Sequence, residues 1–131
     1  MESAVSRPPA KDLTDRELEV MHAFWRHGEQ TAAQVRDRLA TAGLDRAYTT
    51  VANLVRILEE KGFLEQTTTM RPFHYRPAAS YEDVSGRLLG DVLDRVFHGS
   101  REELMLRLVE QRNLTARERA VLEAILKEQD Q

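Results

Sequence analysis

Three amphipathic segments in close succession, two β-prone stretches behind them, and further apolar stripes at helical spacing over residues 80–131 predict a mainly α chain. The order is that of a winged helix-turn-helix, three helices plus a β-hairpin wing, followed by a three-helix dimerisation tail. At 131 residues the chain can hold one domain or a small domain with an appendage. Hydrophobic content of 41%, with 6% aromatic residues and a single tryptophan, points to an aliphatic, helix-rich core.

The first helix is expected over about Asp15 to His27. Thr14 and Glu17 form a capping box at its start, Leu18, Met21 and Trp25 with Phe24 make an apolar stripe, and Gly28 stops it. Thr31 and Gln34 repeat the capping pattern before a short second helix in which Ala32, Val35 and Leu39 face inward. In the third helix, about Thr49 to Lys61, Val51, Leu54, Val55 and Leu58 fall at i, i+3, i+4 and i+7, and Gly62 supplies the left-handed cap. Phe63 to Thr69 then favours strand, Arg71-Pro72 makes a turn, and Phe73-His74-Tyr75 returns as a second strand. A lone hairpin is marginal in water, so Phe63, Leu64 and Tyr75 are expected to pin it to the helices.

Ser80 with Asp83 caps a further helix that carries Leu88, Leu89, Val92, Leu93, Val96 and Phe97 and is interrupted at His98-Gly99-Ser100. Two more follow, one with Leu104 and Leu108, the other capped by Thr115 and Glu118 and carrying Val121, Leu122 and Ile125. Three short helices have too little volume to bury such stripes by themselves. A second copy of the chain is the expected partner, with Leu88, Leu89, Val92, Leu93, Val96, Leu104, Leu108, Val121, Leu122 and Ile125 at the interface.

Several chemistries are excluded. With no cysteine there is no disulfide, zinc-thiolate site or thiol nucleophile. His22 and His27 stand five apart, off a common helical face, so no metal site is expected. No Gly-rich phosphate loop, G-x-S-x-G elbow or acid-base carboxylate pair suggests an enzyme or a cofactor. Met1 to Ala10 lacks the apolar core of a signal peptide, and no apolar run approaches the roughly 18 residues that span a bilayer. A cytoplasmic protein without membrane insertion is expected.

Net charge is −3, but residues 1–79 hold 11 basic and 11 acidic side chains, while residues 80–131 hold 8 and 11. Thr67 to Ala79 contains Arg71, His74 and Arg76 and no acid. If 51, 54, 55 and 58 face the core, Thr49, Ala52, Asn53 and Arg56 face outward, free of acid until Glu59. Threonine can meet a thymine methyl or a phosphate, asparagine can pair with adenine, and arginine suits guanine or phosphate. Arg71 and His74 in the wing can reach phosphates or the minor groove, and Arg46 and Tyr48 stand where a guanidinium and a hydroxyl could bind phosphate; Tyr48 is equally a packing residue. The expected organisation is a flexible arm over residues 1–12, a DNA-binding winged domain over 13–79 and a helical dimerisation domain over 80–131. The other reading, prompted by the negative net charge, is a winged-helix protein-interaction module that binds no DNA.

The stretches LTDRELEVMHAFWRHGEQTAAQVRDRL, RAYTTVANLVRILEEKGFLE and HYRP resemble the penicillinase-repressor family of winged-helix regulators, the BlaI/MecI type, from about Leu13 to Leu126. The resemblance implies a homodimeric repressor on palindromic operator DNA, one winged helix per half-site, controlling a β-lactam-response or other stress regulon. It makes Thr49, Thr50, Ala52, Asn53 and Arg56 the base-reading residues, with Arg71 and His74 in the wing. One branch of the family is released by cleavage within the tail, which adds a regulatory protease to the implied partners. Three departures stand out. Ile57 replaces a frequent arginine, Arg107-Leu108 replaces Asn-Phe at the aligned cleavage site, and the chain end lacks the cysteines of copper-responsive relatives.

Overall fold

The structure, a computed structural model, describes residues 13–130; the arm expected at 1–12 lies outside the described residues. Helix α1 (Asp15–His27) opens on the expected capping box, with Thr14 Oγ1 accepting from the Glu17 amide at 3.1 Å and Glu17 Oε1 accepting from the Thr14 amide at 2.8 Å. Its buried line is Glu17, Val20, Met21 and Phe24, at i, i+3, i+4 and i+7. Leu18 and Trp25, expected on the inward stripe, are only half-buried. The rotation has two causes. Lys61 Nζ reaches both Glu17 carboxylate oxygens, at 3.0 and 3.1 Å, and draws that side chain inward; the Trp25 indole N–H donates to the Ala79 carbonyl at 2.9 Å and holds the ring at the margin.

Helix α2 (Ala32–Thr41) carries the second capping box, Thr31 with Gln34, and buries Ala32, Val35 and Leu39. Helix α3 (Tyr48–Glu60) buries Val51, Val55 and Leu58, with Leu54 half-buried against the same core. Gly62, at φ 88°, turns the chain out of α3 in a conformation that L side chains resist.

The sheet contains the expected two-stranded hairpin and adds a third strand to it. Strands β1 (Gln30–Thr31), β2 (Leu64–Gln66) and β3 (His74–Pro77) form an antiparallel sheet of order β1-β3-β2, with Gln30 opposite Tyr75 and Gln66 also opposite Tyr75 from the other side. A two-residue strand is too short to show alternation, so β1 leaves no periodic signal. It is anchored by the buried Gln30, whose Nε2 donates to the Ala23 and Gly28 carbonyls at 3.0 and 3.1 Å. Phe63 and Leu64 are buried and Tyr75 packs on the core, as the hairpin requires.

Helix α4 (Tyr81–Arg95) starts at Ser80, whose Oγ accepts from the Asp83 amide at 3.0 Å. The chain divides into two compact units, Met1–Leu89 and Gly90–Gln131. In the first, Val84 is buried, Leu88 packs on the winged-helix core, and Tyr81 meets Trp25 edge-on at 5.4 Å. In the second, His98 and Gly99 at positive φ break the chain before α5 (Arg101–Gln111), and Thr115 caps α6 (Ala116–Gln129). Neither α5 nor α6 has a buried residue. Among the described residues no helix is long and apolar enough to cross a membrane.

Candidate nucleic-acid interface

The inward set of α3 fixes what its other side presents. Thr49, Thr50, Asn53 and Arg56 are exposed, Ala52 is half-buried, and Ile57 sits half-buried on the flank. Asn53 and Arg56 form one unit: Arg56 Nη2 donates to Asn53 Oδ1 at 2.8 Å, while Nη1 meets Glu60 at 2.6 Å. The guanidinium is thereby oriented along the helix, and the Asn53 amide retains its two N–H donors.

Helix termini add to this face. The first turns of α1, α4, α5 and α6 each contain acid, while those of α2 and α3 contain none. Acidic side chains normally complement the positive end of a helix. At α3 the N-cap is Ala47, with no side-chain cap, so its first amides remain available to an anion.

A cleft of about 680 Å³ lies between the first turn of α2, the start of α3 and the wing. Tyr48, Arg56, Arg71 and Tyr75 line it, with Ala33 and Gln66. Ala33 and Gln66 escaped the sequence reading, and Tyr75 was expected only to pin the hairpin to the helices, since β1–β3 pairing is what brings the wing beside α2. Burial pushes the Tyr75 phenol up, Glu59 and Tyr48 reinforcing and Arg71 opposing, so it stands as an O–H donor.

In the wing, the exposed Arg71 stacks its guanidinium 5.1 Å from the Phe73 ring centre. His74 begins β3, half-buried, its Nδ1 3.2 Å from the Pro72 carbonyl. Its backbone N–H donates to Thr68 Oγ1 at 3.0 Å, which closes the turn. Arg46 stands apart from the other candidates. Its Nε and Nη2 donate to the two Glu19 carboxylate oxygens at 3.2 and 2.9 Å, and this pairing, with Asp45 nearby, raises an already high pKa. Tyr48 is half-exposed at the first position of α3. Among the described residues no group of three His, Cys, Asp or Glu side chains could hold a metal.

The sequence model of one family, described as penicillinase repressor, matches residues 13–128. No curated protein matches the chain. Among solved structures, the oxidized form of MarR from E. coli is similar at 18% identity and a TM-score of 0.46, covering 90% of this chain and 76% of its own. BpsR of Bordetella bronchiseptica, described in a study of how 6-hydroxynicotinic acid regulates its DNA binding, is similar at 17% identity and 0.45, covering 96% and 83%.

Proposed function

The chain belongs to the penicillinase repressor family, and from that premise we propose that it is a homodimeric repressor that binds a palindromic operator with one winged helix per half-site. The observation that carries the reading is the division of α3 into a buried line, Val51, Val55 and Leu58, and an exposed face of Thr49, Thr50, Asn53 and Arg56 with no acid in its first turn. In the proposed complex α3 lies in the major groove, Asn53 and Arg56 meet base edges, and Thr49, Tyr48 and the first amides of α2 and α3 take phosphates. Arg71 and His74 lie against the neighbouring minor groove. Arg46 acts by fixing the link before α3 through Glu19 rather than as a lone phosphate ligand.

Residues 13–79 are the DNA-binding domain and 80–131 the dimerisation domain in this reading. Support for the second part comes from its uncovered apolar surface: Leu89, Val92, Val96, Leu108, Val121, Leu122 and Ile125 are all at least 41% exposed in the single chain. Leu93 and Leu104 are half-buried beside them, whereas Leu88 contributes inward, to the winged-helix core. Arg107, at the position aligned with proteolytic release, is held in α5 between Glu103 and Glu110, so cleavage there requires that helix to unwind.

Gel shifts on the protein's own promoter test the reading. Asn53→Ala and Arg56→Ala are each expected to weaken binding by about 1–3 kcal/mol without altering the dimer, and wild-type affinity should fall steeply with salt. Unchanged shifts in both variants would remove α3 from the interface. Affinity indifferent to salt would favour the protein-interaction module instead.

A further inference from the structure

A recess of about 200 Å³ opens between α1 and α2, with Ala23, Leu39 and Leu44 among the residues that line it. Ala23 and Leu39 are buried core members, so the base of the recess is apolar and fixed. Around it stand Arg26 and Arg38, one from each helix, with His22 and His27.

Among the described residues Arg26 and Arg38 meet no carboxylate, a condition shared by Arg16, Arg101, Arg112, Arg117 and Arg119; what sets this pair apart is that both line one recess. Glu19 also lines the recess, but both of its oxygens already accept from Arg46. Two unpaired guanidiniums over a small apolar base are complementary to an organic anion, because arginine recognises a carboxylate through paired N–H donors and the base receives the hydrocarbon. A volume below the roughly 300 Å³ of sites for drug-sized ligands limits the occupant to one ring or a short chain.

We propose that this recess is an effector site for a small monocarboxylic acid with an apolar body. Glu19 connects it to the reading helix, since the carboxylate that borders the recess is the one that holds Arg46, two residues ahead of α3. An acid seated there brings a second negative charge beside the Glu19–Arg46 pair and so changes how the link before α3 is held. The effector role rests on the DNA-binding reading; occupancy of the recess does not.

Benzoate and hexanoate are the probes, titrated by calorimetry into the full chain with Trp25 emission followed in parallel. Trp25 is the only tryptophan, and its ring lies 5.4 Å from that of His22 at the rim. The expected result is saturable binding to the wild type, weakened at least about tenfold in Arg26→Gln and Arg38→Gln. Both residues are exposed, so circular dichroism should report an unchanged fold. Promoter affinity measured with and without the acid should change for the wild type and stay constant for the two variants. Absence of binding at millimolar acid, or binding equal in wild type and variants, overturns the site. Binding that leaves promoter affinity unchanged overturns the effector role. If the wild type fails to bind promoter DNA without any acid, the proposed function falls while the calorimetry still decides the recess.

Discussion

Glu17 shows how one residue can do two jobs that a sequence window reveals only in part. Its role in the capping box is local, three residues from Thr14, and was legible. Its ion pair joins α1 to the end of α3, 44 positions away, and no local pattern announces it. With the Glu17 side chain 5% exposed and Lys61 31%, removing the lysine leaves a buried carboxylate without its cation. Lys61→Ala is therefore expected to destabilise the fold by about 1–3 kcal/mol, seen as a lower urea midpoint at unchanged slope. The same distance problem explains Arg46: its place beside the reading helix suggested a phosphate ligand, but Glu19, 27 positions back, decides what its guanidinium does. Arg26 and Arg38 likewise look like ordinary solvated charges until two helices bring them together.

Among the elements, α3 was the most legible because its 13 residues sustain a helical period long enough to separate two faces. The N-terminal caps of α1, α2, α4 and α6 follow from short side-chain signals at fixed offsets. The turn that ends α3 depends on one backbone conformation, and Gly62→Ala places a Cβ at φ 88°. The expected cost is about 1–2 kcal/mol, measured by thermal or chemical denaturation. The elements that escaped prediction owe their form to partners rather than to their own residues. Strand β1 exists because Tyr75 and His74 arrive beside it, and the rotation of α1 away from the Leu18–Trp25 line is imposed by Lys61 and Ala79.

For the whole molecule, the division of labour follows from where apolar surface is covered. The first unit closes a core around Phe24, Phe63, Met21 and Leu58. The second leaves its apolar stripes exposed, and the family match over residues 13–128 spans both units. In the proposed dimer a charge set into that surface should separate the copies: Leu122→Glu is expected to give a monomeric mass by light scattering while the winged domain keeps its fold. On the proposed palindromic operator two half-sites would then bind independently, and promoter affinity should fall by a larger factor than any single contact on α3 contributes. A monomeric wild type at micromolar concentration would remove the dimer.

The three-stranded sheet bears on how this chain behaves when crowded. Its central strand, β3, is paired along both sides, and the outer strands β1 and β2 offer only two and three residues. Edge-to-edge zippering into fibrils draws on open runs of about six or seven residues. Self-association is thus steered away from the sheet, which leaves the exposed stripes of the tail helices as the surface on which the proposed dimer would close.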